Sequence, residues 1–349
     1  MPSVTIDASV LAAPISNAEK ELVHQYVETL LDWKRLLEEP LVDIYMSEFA
    51  AEVLVEDGLY PLRPALDSLF KQCGIVEYDV NTVARLAESF LLVKPSFEET
   101  FNLSDVLATE VTMEPDLLST VTSKNIASEL ARCIILTAIL RKYCRHPVDD
   151  HTLIIRSSAG GASVVNVKAL IHDLEHHRDD IESIPEPPAY LKGSVLVCQT
   201  FQELVKNIDE NAIWRDADND IKMALAIKIA LYKLCLERGL EAQIENFRAF
   251  TFGHHFFATA KACSQTNHDS LVGRIIRATV ETIDNTSLAD THALRMGKGG
   301  NEPQHKRGQD KAWRRDIDYE YHLHYWECDD GSVEFASVVT HNDFSIPEL

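Results

Sequence analysis

Short β-branched runs alternate along the chain with longer segments whose apolar residues recur at helical spacing. Val4-Thr5-Ile6 reads as a strand that ends at Asp7. From Asn17 to about Leu37 the residues Leu22, Val23, Tyr26, Val27, Leu30 and Leu31 fall on one helical face, and Pro40 stops the helix. Leu41 to Met46 is strand-like again. Ser47 is placed to cap a helix carrying Glu48, Phe49, Val53 and Leu54. After the breakers Gly58 and Pro61, Leu62 to Cys73 predicts another helix. Ile75-Val76-Glu77-Tyr78 predicts a third strand, and Asn81 a helix toward Leu92. Strands and helices in this order predict a parallel α/β sheet.

The stretch from Lys94 to about Pro188 is less regular and reads as a mostly helical insertion. Ser123 to Tyr143 predicts a strong helix, Thr152 to Ile155 a strand, and Val167 to His177 a further helix; Pro185, Pro187 and Pro188 mark a linker or tight turn. Order returns with a strand at Ser194 to Val197 and a helix from Asp216 to Glu237 ended by Gly239. Arg248 to Phe252 predicts a strand, and Leu271 to Ile283 a helix. Asp318 to Glu327 and Ser332 to Val339 predict two antiparallel strands joined by an Asp-Asp-Gly turn at residues 329–331.

Composition narrows the class. The chain has 349 residues, 46% of them hydrophobic and 25% charged, which suits two or three folded cores. No apolar run reaches the roughly 18 residues that span a bilayer. The opening Met1 to Asp7 has no basic patch followed by an apolar stretch, so no signal peptide is expected and cytoplasm is the default. Seven scattered cysteines without a CxxC pair predict reduced thiols rather than a disulfide framework or structural zinc.

The formal net charge is −22, unevenly spread. Residues 1–60 carry twelve acidic side chains against three basic ones, and residues 291–315 carry seven basic against two acidic. One end suits cations and the other a polyanion. The plainer reading is solubility at one end and a solvated loop at the other. The acidic excess also suits a basic protein partner, such as an inhibitor or regulator.

Asp7 ends the first strand, Glu48 follows the second, and Asp220 opens the long helix, with Asp216 and Asp218 just before it. In a parallel sheet such positions converge on one rim. Crowded carboxylates either rise in pKa or bind a divalent cation, and oxygen ligands favour Mg²⁺ or Mn²⁺. These residues can equally be solvated helix caps.

Ile6-Asp7-Ala8-Ser9-Val10-Leu11, Tyr45-Met46-Ser47-Glu48-Phe49 and Asp220-Ile221-Lys222-Met223-Ala224-Leu225-Ala226 together resemble the three acidic motifs of the PIN nuclease family. Phe250-Thr251-Phe252-Gly253 falls where that family has its last strand. The resemblance covers about residues 1–93 and 194–283. It implies a PIN-like sheet flanked by helices, interrupted by residues 94–193. It also implies a metal-dependent endoribonuclease with Asp7, Glu48 and Asp220 as catalytic residues. Asp7, Glu48, Asp216, Asp218 and Asp220 would hold Mg²⁺ or Mn²⁺, in a toxin or defence role. The family is usually compact and often carries an acidic residue on its last strand; this chain departs on both counts.

The C-terminal part, residues 284–349, predicts a small α+β module. Arg295, Lys298, Arg307, Lys311, Arg314 and Arg315 are candidates to hold RNA, with Trp313 to stack on a base. On the strand Tyr319 to Trp326, His322 and His324 share a face, and His341 lies just after the next strand. This segment is similar in outline to RelE-type toxins, which implies metal-independent RNA cleavage with His324 and His341 as acid and base. The alternative to catalysis at either end is an RNA- or protein-binding chain with a degenerate PIN-like domain. His172 and His176 at helical i, i+4 spacing suit zinc but lack a third ligand, His254-His255 follows Gly253 in a loop, and Gly160-Gly161 has no phosphate-loop context.

Overall fold

The computed structural model describes residues 2–144, 151–156, 163–177, 186–240, 244–266, 270–297 and 301–347. The chain forms two compact units, Met1–Asn207 and Ile208–Leu349. Gly160, Gly161, Pro185 and Lys298 lie outside the described residues.

The first unit is built on a six-stranded mixed sheet flanked by helices. Next to one edge lies β1 (Ser3–Ile6), paired in parallel with the edge strand β2 (Asp43–Met46) on one side. On its other side lies β4 (Thr152–Ile154), also parallel. All of β1 and β4 is buried, as expected of parallel strands covered on both faces. Val4 and Ile6 pack as core, while Ser3 and Thr5 face the other way, onto the buried ring of His151. Ser3 Oγ lies 2.8 Å from Nδ1 and Thr5 Oγ1 3.0 Å from Nε2, so both ring nitrogens have hydroxyl partners. Burial pushes this imidazole down to about 3, so it is neutral at physiological pH.

The sheet extends from β4 through β6 (Ala189–Cys198), parallel, to two antiparallel strands, β5 (Val164–His176) and β3 (Leu103–Glu114). The order is therefore β2-β1-β4-β6-β5-β3. Residues 94–193 were expected to form a mostly helical insertion. They instead supply β3, β4, β5 and the first half of β6 to the same sheet as β1. The expected helix over Val167 to His177 is β5: Val165, Val167, Ala169 and Ile171 are buried and their neighbours exposed, a period of two. Val167, Leu170, Ile171 and Leu174 also satisfy helical spacing, and that ambiguity misled the sequence reading. Ile75 to Tyr78 forms no strand; Val76 is exposed, and the segment leads to Asp79, whose carboxylate caps the following helix.

The helices of this unit are α1 (Ala8–Leu11), α2 (Lys20–Glu38), α3 (Ala50–Glu56), α4 (Arg63–Cys73) and α5 (Val80–Leu91). After them come α6 (Phe97–Phe101), α7 (Lys124–Tyr143) and α8 (Phe201–Asn207). The longest, α7, is capped by Ser123 and runs through the main core. Leu130, Ile134, Ala138 and Ile139 pack with Leu103 of β3, Val165 and Val167 of β5, and Val195 and Val197 of β6.

The second unit contains α9 (Glu210–Asp216), α10 (Asp220–Glu237), α11 (Phe256–Thr266) and α12 (Ser270–Ile283). Its sheet comprises β7 (Phe250–Phe252), β8 (Thr291–Ala293), β10 (Asp310–Asp316), β11 (Tyr321–Glu327) and β12 (Val333–Thr340), with β9 (Lys306–Arg307) paired beside β10. The order is β7-β12-β11-β10-β8; only β7 with β12 is parallel. The Asp329-Asp330-Gly331 turn joins β11 to β12 as expected, with Gly331 at φ 83°, where a side chain would be strained. None of the seven cysteines forms a disulfide, and among the described residues no helix is long and apolar enough to cross a membrane.

Arg315, expected to hold RNA, is buried in this unit at 1% exposure. Its guanidinium pairs with Glu281 Oε2 of α12 at 3.1 Å and donates to the carbonyls of Thr286 at 2.6 Å and Ser287 at 3.3 Å. It is a structural pin. Arg315→Ala is expected to destabilise this unit by about 3 kcal/mol through buried acceptors left unpaired. The exposed Lys311→Ala is expected to stay within about 0.5 kcal/mol. Amide exchange in β10 to β12 reads both; equal protection in the two variants would show that Arg315 is not a pin.

Candidate functional site

The carboxyl end of β1 places Asp7 where the strand turns into α1. Its Oδ1 accepts from Ser9 N at 2.8 Å, which caps the short helix. The residue is completely buried, and among the described residues Oδ2 has no hydrogen-bond partner. Burial raises this carboxyl to about 6, with the negative charge of Glu129 adding and the Ser9 bonds opposing. At neutral pH Asp7 is therefore close to its titration range, with one oxygen open.

The end of β2 supplies Ser47 and Glu48. Ser47 Oγ accepts from Phe49 N at 3.1 Å and donates to Glu129 of α7. Glu48 points to solvent, but its backbone N donates to Glu98 Oε2 at 2.9 Å. Glu98 is held rigidly because α6 opens with a reciprocal cap between Ser96 and Glu99. Glu98 and Glu129 are both buried.

Between them lies Arg132, one turn after Glu129 on α7. Its Nε donates to Glu129 Oε2 at 2.8 Å and its Nη2 to Glu129 Oε1 at 2.9 Å, a bidentate fork. The same Nη2 pairs with Glu98 and lies 2.8 Å from Ser47 Oγ, Nη1 donates to Ser104 O at 3.0 Å, and the guanidinium sits 4.6 Å from the centre of the Phe49 ring. Glu129 and Arg132 also wall a cleft of about 380 Å³ whose rim carries the acidic Glu52, Glu56 and Asp105.

Asp7, Ser47 and Glu48 thus lie where the sequence places them, at the ends of two neighbouring parallel strands. The acidic side chains gathered with them in this unit are Glu98 and Glu129. Asp216, Asp218 and Asp220 belong to the other unit, where all three are exposed. Asp218 pairs with Lys222 at 3.0 Å, which holds its carboxyl below the ordinary range. Asn219 caps α10 through Lys222 N at 3.0 Å, and Asp220 occupies the first turn, where the helix dipole favours it.

Glu98, Glu129 and Arg132 were missed. Glu129 carried a usable signal, because it sits on the buried stripe of α7 with Ile126, Leu130, Cys133 and Ile134. A carboxylate on such a stripe needs a buried partner, and Arg132 one turn later supplies it.

An oxygen-only donor set with an open Asp7 Oδ2 is chemically suited to Mg²⁺ or Mn²⁺. The arrangement does not fit such an ion. Arg132 already takes both Glu129 oxygens and pairs with Glu98, and among the described residues no three His, Cys, Asp or Glu side chains are grouped to hold a metal.

The basic segment of the second unit is largely self-neutralised. Arg307 is forked between Asp310 at 3.0 Å and Glu334 at 2.9 Å and lies over the Trp326 ring, so it is not a free phosphate contact. Trp313 donates its Nε1–H to Glu327 at 3.0 Å. Arg295 and Lys311 are exposed, and Arg314 is half-buried. His324, expected as a catalytic base, is fully buried and uses Nδ1 to donate to Ser345 O at 2.9 Å, while His341 is exposed. His172 and His176 lie on strand β5, not on a helix, and His172 Nε2 meets Thr109 Oγ1 at 2.7 Å, which removes the i, i+4 zinc geometry. His254 and His255 are exposed in the turn before α11.

Comparison of the chain with protein-family models, with curated proteins and with solved structures finds no match.

Asp7 yields a test of the electrostatics. A carboxyl whose folded pKa is about 6 against 3.8 unfolded binds more protons folded than unfolded between those values, so its contribution to stability falls as pH rises through that window. The shift corresponds to about 3 kcal/mol lost by pH 7. Asp7→Asn keeps the Ser9 cap and removes the ionisation. It is expected to raise thermal stability at pH 8 and to change little at pH 4. An equal effect at both pH values would rule out the buried charge as the cause.

Proposed function

We propose that the chain acts on RNA as an endoribonuclease through its N-terminal unit, PIN-like in plan, and that Arg132 closes the acidic centre in this conformation. The observation that carries the reading is the gathering of Asp7, Ser47, Glu98 and Glu129 at the carboxyl ends of β1 and β2. Asp7 is the first motif's acidic residue; the second motif's, Glu48, is exposed, with only the preceding Ser47 in the centre, and Glu129 on α7 takes the place given to Asp220.

Each residue has a part that its surroundings dictate. Asp7 holds or accepts a proton at Oδ2 near neutral pH, because burial has moved its titration there. Ser47 orients Glu129 through its hydroxyl. Arg132 neutralises two buried carboxylates and blocks them as ligands. Breaking a buried pair of this kind costs about 3–5 kcal/mol, so the closed form dominates unless substrate or a partner protein offsets that cost.

A second reading rests on the same side chain. If Arg132 is a permanent counter-ion, the unit is a degenerate PIN-like domain that binds RNA or protein without cutting. Arg132→Met separates the two. Under the nuclease reading this variant melts lower than wild type, Mn²⁺ restores the melting temperature and EDTA reverses the gain. It also cleaves a mixed-sequence RNA at least tenfold faster than wild type, and Asp7→Asn abolishes cleavage in either background. A folded Arg132→Met protein that neither responds to Mn²⁺ nor cuts RNA sinks the nuclease reading.

A further inference from the structure

One face of the second unit's sheet carries a row of polar side chains that the N-terminal centre does not use. In the antiparallel register His292 of β8, Arg314 of β10, His324 of β11 and Ser337 of β12 stand opposite one another in sequence across four strands. Asp316 and His322 form the neighbouring pair. Directly paired residues share a face, so all six project to one side.

Three of these groups are fully enclosed yet incompletely satisfied. His322, His324 and Ser337 are buried, and among the described residues His322 Nδ1, His324 Nε2 and Ser337 Oγ have no hydrogen-bond partner. Asp316 faces two imidazoles, with His322 Nε2 2.8 Å from its Oδ1 and His292 Nε2 4.0 Å from its Oδ2. Unmatched polar atoms at this density are unfavourable for a sheet that has only to fold. Beside them the exposed His341 ring sits 4.6 Å from that of His322. Arg314 makes no ion pair or hydrogen bond among the described residues; its guanidinium rests 5.7 Å from the centre of the Phe344 ring, which fixes its position. In a chain of net charge −22, a half-buried arginine without a carboxylate partner keeps its five donors for another acceptor.

We propose that Arg314 and His341 form an oxyanion site for a phosphate group above the buried ring of His322, with His292 at its edge. A cation is disfavoured by the guanidinium, and the described residues include no three-ligand metal group. A phosphate suits the face better than a carboxylate, because its several oxygens can accept from donors on β8, on β10 and on the turn after β12. Asp316 limits the positive charge and steers His322. The His324 ring lies deeper, fixed under the chain's end by its bond to Ser345 O, and supports the row from beneath. This site is independent of the Arg132 centre.

The test titrates the full-length protein with inorganic phosphate at constant ionic strength and follows the imidazole carbon–proton NMR signals. Saturable shifts of His322 and His341 are expected. Arg314→Ala should weaken the apparent affinity at least tenfold, and Arg314→Lys should retain part of it. If Arg314→Ala does not fold, the exposed His341→Ala serves in its place, with the same weakening expected at His322. A fluorescein-labelled single-stranded RNA distinguishes the sources of the group. RNA binding that phosphate competes away assigns the diester of a nucleic acid, and phosphate binding without RNA binding assigns a free phosphate or monoester. Signals that move no more with phosphate than with matched chloride, or that respond to Zn²⁺ alone, would overturn the proposal.

Discussion

One guanidinium organises the N-terminal unit. Arg132 joins α7 to α6 through Glu98, to the end of β2 through Ser47 and to the start of β3 through the carbonyl of Ser104. Each of those elements brings a polar group into a region that is otherwise core. Without the arginine, Glu98 and Glu129 would be two buried carboxylates with no counter-charge. With it, the fold tolerates an acidic cluster at the rim of its parallel strands. An internal cation thereby neutralises the acidic pair, while burial raises the carboxyl of Asp7 to about 6.

The parts of this unit legible in the sequence are those fixed by local pattern. Val4-Thr5-Ile6 followed by Asp7 is a buried parallel strand with a cap at its end, and Ser123 announces α7 in the same way. What was not legible depends on contacts distant in sequence. Glu129 meets Ser47 across 82 residues, and Arg132 meets Glu98 across 34. Proximity to the expected motif favoured Asp220, because an aspartate opening an apolar helix is a strong local signal. That signal describes a helix N-terminus as well as it describes a ligand, and in the structure Asp220 occupies a first turn.

The C-terminal sheet teaches the same lesson through neighbours. Arg314 and Arg315 are adjacent, and composition treats them alike. The pleat sends them to opposite faces. Arg315 enters the interior against α12, where Glu281 and two carbonyls consume its charge, while Arg314 stays half-buried on the other face beside the histidines. Counting basic residues therefore overstated the surface available to a polyanion. Arg307 and Trp313 are removed from it by Glu334, Asp310 and Glu327, leaving a narrow row rather than a broad groove.

That reduction bears on how an acidic protein can engage a phosphate at all. At a net charge of −22, long-range attraction does not draw a polyanion to the surface, and screening by salt limits what remains beyond about 10 Å. Recognition then has to come from short-range groups already in place. An arginine resting over Phe344 and imidazoles set by paired strands supply such groups. The same principle governs the N-terminal centre, where the fork of Arg132 onto Glu129 fixes both side chains. In each unit the chain's chemistry depends on a few ordered groups against a repulsive background, so charge-conserving substitutions that lose geometry, such as Arg to Lys at a forked position, are as informative as removal of the charge.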